Sequence, residues 1–412
     1  MLIRRFSSVA KLLKPLVKHN VELSTSQKVT TIRFPGSDSA VSFHNGFLRD
    51  SSQSLKSWDP TTGQKLFTTG EIADVVPLEI DIPDSETISI QWSDGDFATY
   101  SRSFLEHHAS PSNRTKGRNY DHNITIWDNS TRNLPEKFPS LLKHDYNSYM
   151  TSSETLSKVV RELNEFGLSI ITNIPTKSDE LHDTDPEVEK IGLRIGYIRP
   201  TFYGLLFDVK SKPKATNIAY TSKFLPLHQD LCYYESPPGL QLLHCIKNRA
   251  TGGENVFADG FSGARYVKNV DPRAYSALLK IPFNFHYNRE GHHYFHQRCL
   301  VVENPDGSFK EINYSPPFQA PFDKGIMPNE TQFEEFDDFL RGVNLFEEFV
   351  NSPDNKVKFK TQEGDCVIFD NRRVLHARDE FDPNSGERWL KGCYLDKDAF
   401  QSKLRAVECP SI

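Results

Sequence analysis

The motif Leu227-His-Gln-Asp-Leu231, with His376 far downstream in Val374-Leu-His-Ala-Arg378, constrains this chain more than any other feature. Two imidazoles and one carboxylate make a ligand set that grips one face of a metal ion and leaves its other positions open. On an extended segment residues i and i+2 point the same way, so His228 and Asp230 are expected to hold the metal together from one strand. The third ligand must come from a distant strand. His376 follows the apolar run Cys366-Val-Ile-Phe369, which reads as such a strand.

A bare His-x-Asp pair is a weak signal in a chain with fourteen histidines. Arg388, twelve residues past His376, strengthens it. A guanidinium there can grip the far carboxylate of 2-oxoglutarate at two points, the co-substrate that non-haem Fe(II) oxygenases with this triad employ. The blander reading of Arg388 is a surface salt bridge.

Further residues follow in a fixed order: Thr201-Phe-Tyr-Gly204, Asn217-Ile-Ala-Tyr-Thr221, His228-Gln-Asp230, Pro237-Pro-Gly-Leu-Gln-Leu-Leu-His-Cys-Ile-Lys247, Thr251-Gly-Gly253 and Asp259-Gly-Phe261. Phe369-Asp-Asn371, Leu375-His376, Arg388, Leu390, Gly392 and Tyr394 continue the series. Over roughly 200 residues this order and spacing resembles the gamma-butyrobetaine/trimethyllysine dioxygenase family of Fe(II)/2-oxoglutarate oxygenases. The resemblance implies Fe(II) on His228, Asp230 and His376, 2-oxoglutarate on Arg388, O2 as the oxidising co-substrate and ascorbate as reductant. It also implies a homodimer and a double-stranded β-helix (jelly-roll) catalytic domain, mainly β with flanking helices.

The activity it implies is hydroxylation of gamma-butyrobetaine to L-carnitine, with trimethyllysine hydroxylation as the alternative. A trimethylammonium group takes part in no ordinary hydrogen bond, so aromatic faces must hold it. The family's cage positions fall here on Tyr203, Phe207, Tyr220 and Tyr394, and Phe207 stands where the butyrobetaine enzyme has tryptophan. Asn217 matches a residue that binds the substrate carboxylate, and its companion position is Ser315. Without the resemblance each aromatic reads as core packing. A catalytically silent binding protein on the same fold is the reading from another class; the intact triad and Arg388 argue against it.

A net charge of -6 gives no footprint for nucleic acid, and no apolar run approaches the roughly 18 residues of a membrane span. The six cysteines are scattered without a C-x-x-C pair, which fits a reducing compartment. Arg4, Arg5, Lys11, Lys14 and Lys18 precede the first acid, Glu22, in a hydroxyl-rich stretch. Residues 1–21 therefore read as a mitochondrial transit peptide, with Leu2, Ile3, Phe6, Val9, Leu12 and Leu13 near helical spacing; the alternative is a basic disordered arm on a cytosolic protein.

Residues 22–108 alternate short β-like runs, such as Lys28–Phe34 and Thr87–Trp92, with turn residues, and read as a small β-rich domain. In the resembling family this domain binds zinc through three cysteines and a histidine. Ser52, Ser54, Ser57 and Asp96 occupy those positions here. Hydroxyls are poor zinc ligands beside thiolates, so no structural zinc is expected. Residues 109–145, broken by Pro111, Pro135 and Pro139, read as a linker, and 146–408 as the catalytic domain.

Leu156, Val159, Val160, Leu163 and Phe166 mark a helix stopped by Gly167, and the strand 168–174 follows. A later helix carries Phe336, Phe339, Leu340, Val343 and Val350. The run Gly291-His-His-Tyr-Phe-His296 reads as a surface hairpin or loop rather than a second metal site. His244 reads as a hydrogen-bonded core histidine, and Gly252-Gly253 as a turn.

Overall fold

The structure, a computed structural model, describes residues 13–37, 39–118, 123–128, 142–175, 186–210, 221–326 and 333–408. It comprises two compact units, Met1–Asn119 and Tyr120–Ile412.

Period-two alternation builds the first unit. In Val21-Glu-Leu-Ser-Thr25 every second residue is buried and those between face solvent. Leu13–Lys18, Val21–Thr25, Val29–Arg33 and Val41–His44 form one antiparallel sheet in chain order, and Pro77–Asp84, Thr87–Trp92 and Phe97–Ser101 form another. Leu23, Ile32 and Phe43 of the first share a core with Ile88, Ile90 and Trp92 of the second. The leader expected over 1–21 overlaps this sheet: Leu13–Lys18 is a paired strand and Val21 is fully buried. The helix expected near the N-terminus lies almost wholly in residues 1–12, outside the described residues.

Arg49 is only 2% exposed and sits in a polar knot. Its Nε and Nη2 donate to Asp94 Oδ2 at 3.0 and 2.6 Å, and its Nη1 donates to Ser57 Oγ at 2.9 Å, 3.2 Å from Asp96 Oδ2. The Ser54 and Ser57 hydroxyls donate to the two oxygens of Asp96, the latter at 3.1 Å. Ser52, also buried, accepts from the Ser54 N–H at 3.3 Å. All four positions where the resembling family has zinc ligands are thus bonded to one another beside a guanidinium.

Removing one partner of a buried ion pair strands the other charge. Arg49→Met is therefore expected to lower this unit's stability by about 3–5 kcal/mol, read by calorimetric unfolding. Elemental analysis of the wild-type protein is expected to find no stoichiometric zinc. One zinc per chain, or a methionine variant as stable as wild type, would contradict this account of the knot.

In the second unit, the helix Ser153–Glu165 starts where the Ser152 hydroxyl accepts the Thr155 N–H at 3.2 Å. It stops before Gly167, at φ 74°, where an added Cβ would meet Val374 Cγ2 at 2.7 Å. The strand Leu168–Thr172 follows and enters a six-stranded sheet, in the order Lys143–Asp145, Leu168–Thr172, Cys366–Asp370, Leu240–Asn248, Arg388–Leu395, Leu206–Lys210. A four-stranded sheet runs Leu225–His228, Val374–Arg378, Asn255–Asp259, Lys356–Phe359.

Alternation along the central strands gives the large sheet two apolar faces. Leu242, Ile368 and Cys393 pack with Val160 and Ile191 of the helices Ser153–Glu165 and Glu187–Ile195. Leu243, Val367 and Phe369 pack instead with Phe257 and Val374 of the small sheet. Two sheets closed on a shared core, with helices outside, make the jelly-roll.

Two expectations need correction. The linker is shorter than 109–145: Pro111–Arg118 is helical, Trp127 is buried with Nε1 donating to Phe166 O at 2.8 Å, and Lys143–Asp145 is a sheet strand. Pro111 opens its helix at the first position, where a missing N–H breaks no helical bond. The late helix, Glu334–Asn351, buries Phe339, Phe346 and Val350, but Leu340 is 45% exposed. Leu340 lies about 100° round the helix from Phe339, beyond the stripe that this core covers. Among the described residues no helix is long and apolar enough to cross a membrane.

Candidate active site

Antiparallel pairing of the strands Leu225–His228 and Val374–Arg378 sets His228 directly opposite His376, with ring centroids 4.2 Å apart. His228 Nδ1 lies 2.8 Å from the Pro226 carbonyl. A carbonyl only accepts, so Nδ1 carries the proton and the Nε2 lone pair is left for a metal. Nε2 is 3.4 Å from Asp230 Oδ1. One ligand atom from each of His228, Asp230 and His376 lies within 4.8 Å of the others.

His376 Nδ1 is buried without a hydrogen-bond partner. Burial, then the neighbouring His228, pushes His376 down to about 3, so its ring is neutral at physiological pH. Burial alone would raise Asp230, but the adjoining His228, His376 and the Tyr394 hydroxyl hold its carboxyl well below the usual range. Two imidazoles and an ionised carboxylate suit a divalent metal such as Fe(II), and a buried nitrogen with no partner is what a ligand position leaves behind.

The strand reading of His228 and Asp230 is corrected here. The strand stops at His228, and Asp230 stands in the following turn. Asn371 holds it there: its Oδ1 accepts the Asp230 N–H at 2.9 Å, and its Nδ2 donates to the carbonyls of Asp230 at 3.0 Å and Pro238 at 3.2 Å. The side-chain amide thus replaces the strand partner that residue 230 lacks. Gln229 braces the same turn through Asn371 O at 2.7 Å and the Tyr314 N–H at 3.0 Å. Leu231 then takes φ 59°, a left-handed conformation that a leucine adopts only under such restraint.

Asn371→Ala would strip partners from three backbone groups, at about 1–3 kcal/mol for each left unsatisfied. We expect urea unfolding to show a loss of about 3 kcal/mol. A loss below about 1 kcal/mol would mean that the turn holds without the amide.

The apolar run Cys366–Phe369 is a strand of the large sheet, and His376 lies on the next strand, in the small one. Between the sheets runs a cavity that the triad shares with Leu243, Leu390, Asn255, Arg378 and Arg388. Arg388 is 5% exposed, its Nε has no partner, and no acid pairs with it among the described residues. Burial pushes it down to about 10, so it remains a cation at neutral pH. Gly253, at φ 74°, leaves it room, since a Cβ there would lie 3.0 Å from Arg388 Nε. A buried guanidinium without an acid calls for an anionic ligand.

Residues 130–394 match the taurine catabolism dioxygenase TauD, TfdA family, and residues 21–106 match the gamma-butyrobetaine hydroxylase-like N-terminal domain. The chain belongs to the TauD, TfdA dioxygenase family. "Dioxygenase str8" of Strobilurus tenacellus is 34% identical over 371 residues, covering 88% of this chain and 84% of that protein. "Probable oxidoreductase AIM17" of Saccharomyces cerevisiae is 32% identical, covering 98% and 94%. The "Gamma-butyrobetaine dioxygenase" of a Pseudomonas strain is 31% identical, covering 89% and 90%.

As a TauD, TfdA-family enzyme the protein is a 2-oxoglutarate-dependent dioxygenase. Bound Fe(II), with 2-oxoglutarate and O2, would supply the oxidant for such a reaction. His228, Asp230 and His376 would hold the metal, and Arg388 the far carboxylate of the co-substrate.

The dioxygenase's aromatic residues line the same cavity. Phe207 stacks on Tyr394 with centroids 4.8 Å apart, and Tyr203 meets Phe207 at 6.3 Å and 49°. Tyr394 also donates to Asp230 Oδ2 at 2.7 Å, so it contacts a triad member as well as the expected cage. Asn217 and Tyr220 lie outside the described residues. Ser315 is buried and its hydroxyl has no partner.

Sequence reasoning missed Arg378 and the role of Asn371. Arg378 lies two residues past His376 on the same strand, so period two alone puts it on the cavity face. Its Nη2 donates to the carbonyls of Thr221 and Lys223 at 2.8 and 2.6 Å.

His244 is fully buried, as expected of a core residue, but neither ring nitrogen has a hydrogen-bond partner. It shares its strand face with Leu242, toward apolar side chains, and burial pushes it down to about 4, which keeps it neutral. The histidine-rich run is the turn and outer strand of a hairpin, Pro282–Arg289 with His292–Cys299. Among the described residues the triad is the one group able to hold a metal. The turn expected at Gly252-Gly253 is corrected: Gly252, at φ 82°, lies in the short strand Thr251–Gly252 and pairs with Phe381, and Gly253, at φ 74°, follows it.

Proposed function

We propose that this dioxygenase hydroxylates gamma-butyrobetaine to L-carnitine. The observation that carries the reading is the aromatic wall: Tyr203, Phe207 and Tyr394 line the cavity that holds the triad and Arg388. Two rings meeting at 49° make a corner rather than a stack, and a trimethylammonium group seated there gains about 0.5–2 kcal/mol from ring faces. Asp230 is the one acid among the described cavity residues, and it belongs to the triad. A permanent cation can therefore be bound by aromatic faces without a competing carboxylate. The relative named gamma-butyrobetaine dioxygenase, matched along nine-tenths of its length, supports the same substrate.

The chain's share of the chemistry is positioning. The aromatic corner fixes the cation, Arg388 the co-substrate, and the apolar lining of Leu225, Leu243 and Leu390 keeps water from the reacting carbon. Mass spectrometry after incubation with Fe(II), ascorbate, 2-oxoglutarate and either gamma-butyrobetaine or trimethyllysine tests the reading. Carnitine with equimolar succinate is expected. Hydroxytrimethyllysine instead would move the enzyme to the other substrate, and no product from either would end both readings.

We further propose a homodimer, tested by light scattering, and a mitochondrial location, tested by fractionation of cells expressing the full chain.

A further inference from the structure

The two oxygens of Asp230 have different neighbours. Oδ1 lies 3.4 Å from His228 Nε2, on the side of the histidines, while Oδ2 accepts the Tyr394 hydroxyl at 2.7 Å. We propose that Tyr394 is a positioning residue for the metal: by holding Oδ2 it leaves Asp230 a single oxygen, Oδ1, to offer as ligand.

Two observations support this division. The ring cannot swing away. Tyr394 is 3% exposed in the strand Arg388–Leu395, and its face is covered by Phe207, whose own place is set by register opposite Gly392, where any larger side chain would collide with the ring. The Asp230 backbone is fixed separately by Asn371, so main chain and carboxylate are each held by a different strand end. Tyr394 thereby restrains the carboxylate, whose turning Asn371 leaves free.

The arrangement has a chemical consequence. A carboxylate free to turn can offer a metal both oxygens and occupy a position that a bidentate co-substrate or O2 requires. With Oδ2 engaged by a hydroxyl, those positions stay open. Hydrogen-bonded partners of ligating groups typically change metal affinity or activity about 10–100-fold when removed.

The inference rests on the triad being the metal site and is independent of which substrate is hydroxylated. Its test is calorimetric titration of the whole protein with Mn(II) in oxygen-free buffer, with no substrate present. Tyr394→Phe keeps the ring and loses only the hydroxyl. It is expected to bind Mn(II) about 10–100-fold more weakly than wild type while the metal-free proteins melt alike. Equal affinity in Tyr394→Phe and wild type would overturn the proposal. No Mn(II) binding by the wild-type protein would instead refute the triad as the metal site.

Discussion

Asp230→Ala is expected to lower 2-oxoglutarate-dependent turnover by more than about 1000-fold, because a metal's contribution of several kcal/mol is lost and about 4 kcal/mol is three decades of rate. Asp230 is the one anionic ligand of the triad. Without it only the two imidazoles remain, and the negative charge that balances a divalent ion is gone. The fold should survive, since Asn371 bonds to the backbone of residue 230 and not to its carboxylate. Circular dichroism of the variant should match wild type while succinate release falls to background. Turnover within about tenfold of wild type, a deficit of only about 1.4 kcal/mol, would remove Asp230 from the metal.

Arg388→Met carries the second largest expected effect. The guanidinium is buried beside the triad with no acidic partner among the described residues, so the co-substrate carboxylate would be its counter-charge. Losing one side of a buried, hydrogen-bonded charge pair costs about 2–5 kcal/mol, which is about 30- to 4000-fold in the KM for 2-oxoglutarate. Arg388→Lys restores the charge but not the planar fork, and should recover only part of the loss. Succinate release measured over a range of 2-oxoglutarate checks both variants. A KM within about threefold of wild type, under 1 kcal/mol, would mean that the carboxylate is held elsewhere.

Local order was legible in the sequence. The helix Ser153–Glu165 announces itself by its apolar spacing and Gly167, and Thr87–Trp92 by its β-rich composition between turns. The triad was legible as residue types, but its geometry was not. His228 meets His376 through the register of two strands, which one sequence does not display. Asp230 leaves its strand because a distant amide, Asn371, replaces the missing partner, and no local pattern at 228–231 signals that. Proline misled at Pro111, where a breaker in mid-helix is a good opener at the first turn. The knot around Arg49 was half visible. Serines and an aspartate could be read at the zinc positions, but the buried guanidinium that binds them together depends on side-chain contacts across the unit.

One measurement bears most directly on the central claim that His228, Asp230 and His376 form the single iron site. Oxygen-free titration with Fe(II) in the presence of 2-oxoglutarate should give one equivalent of tightly bound metal per chain in the wild-type protein and none in His376→Ala. Full binding by the variant, with unchanged affinity, would contradict it.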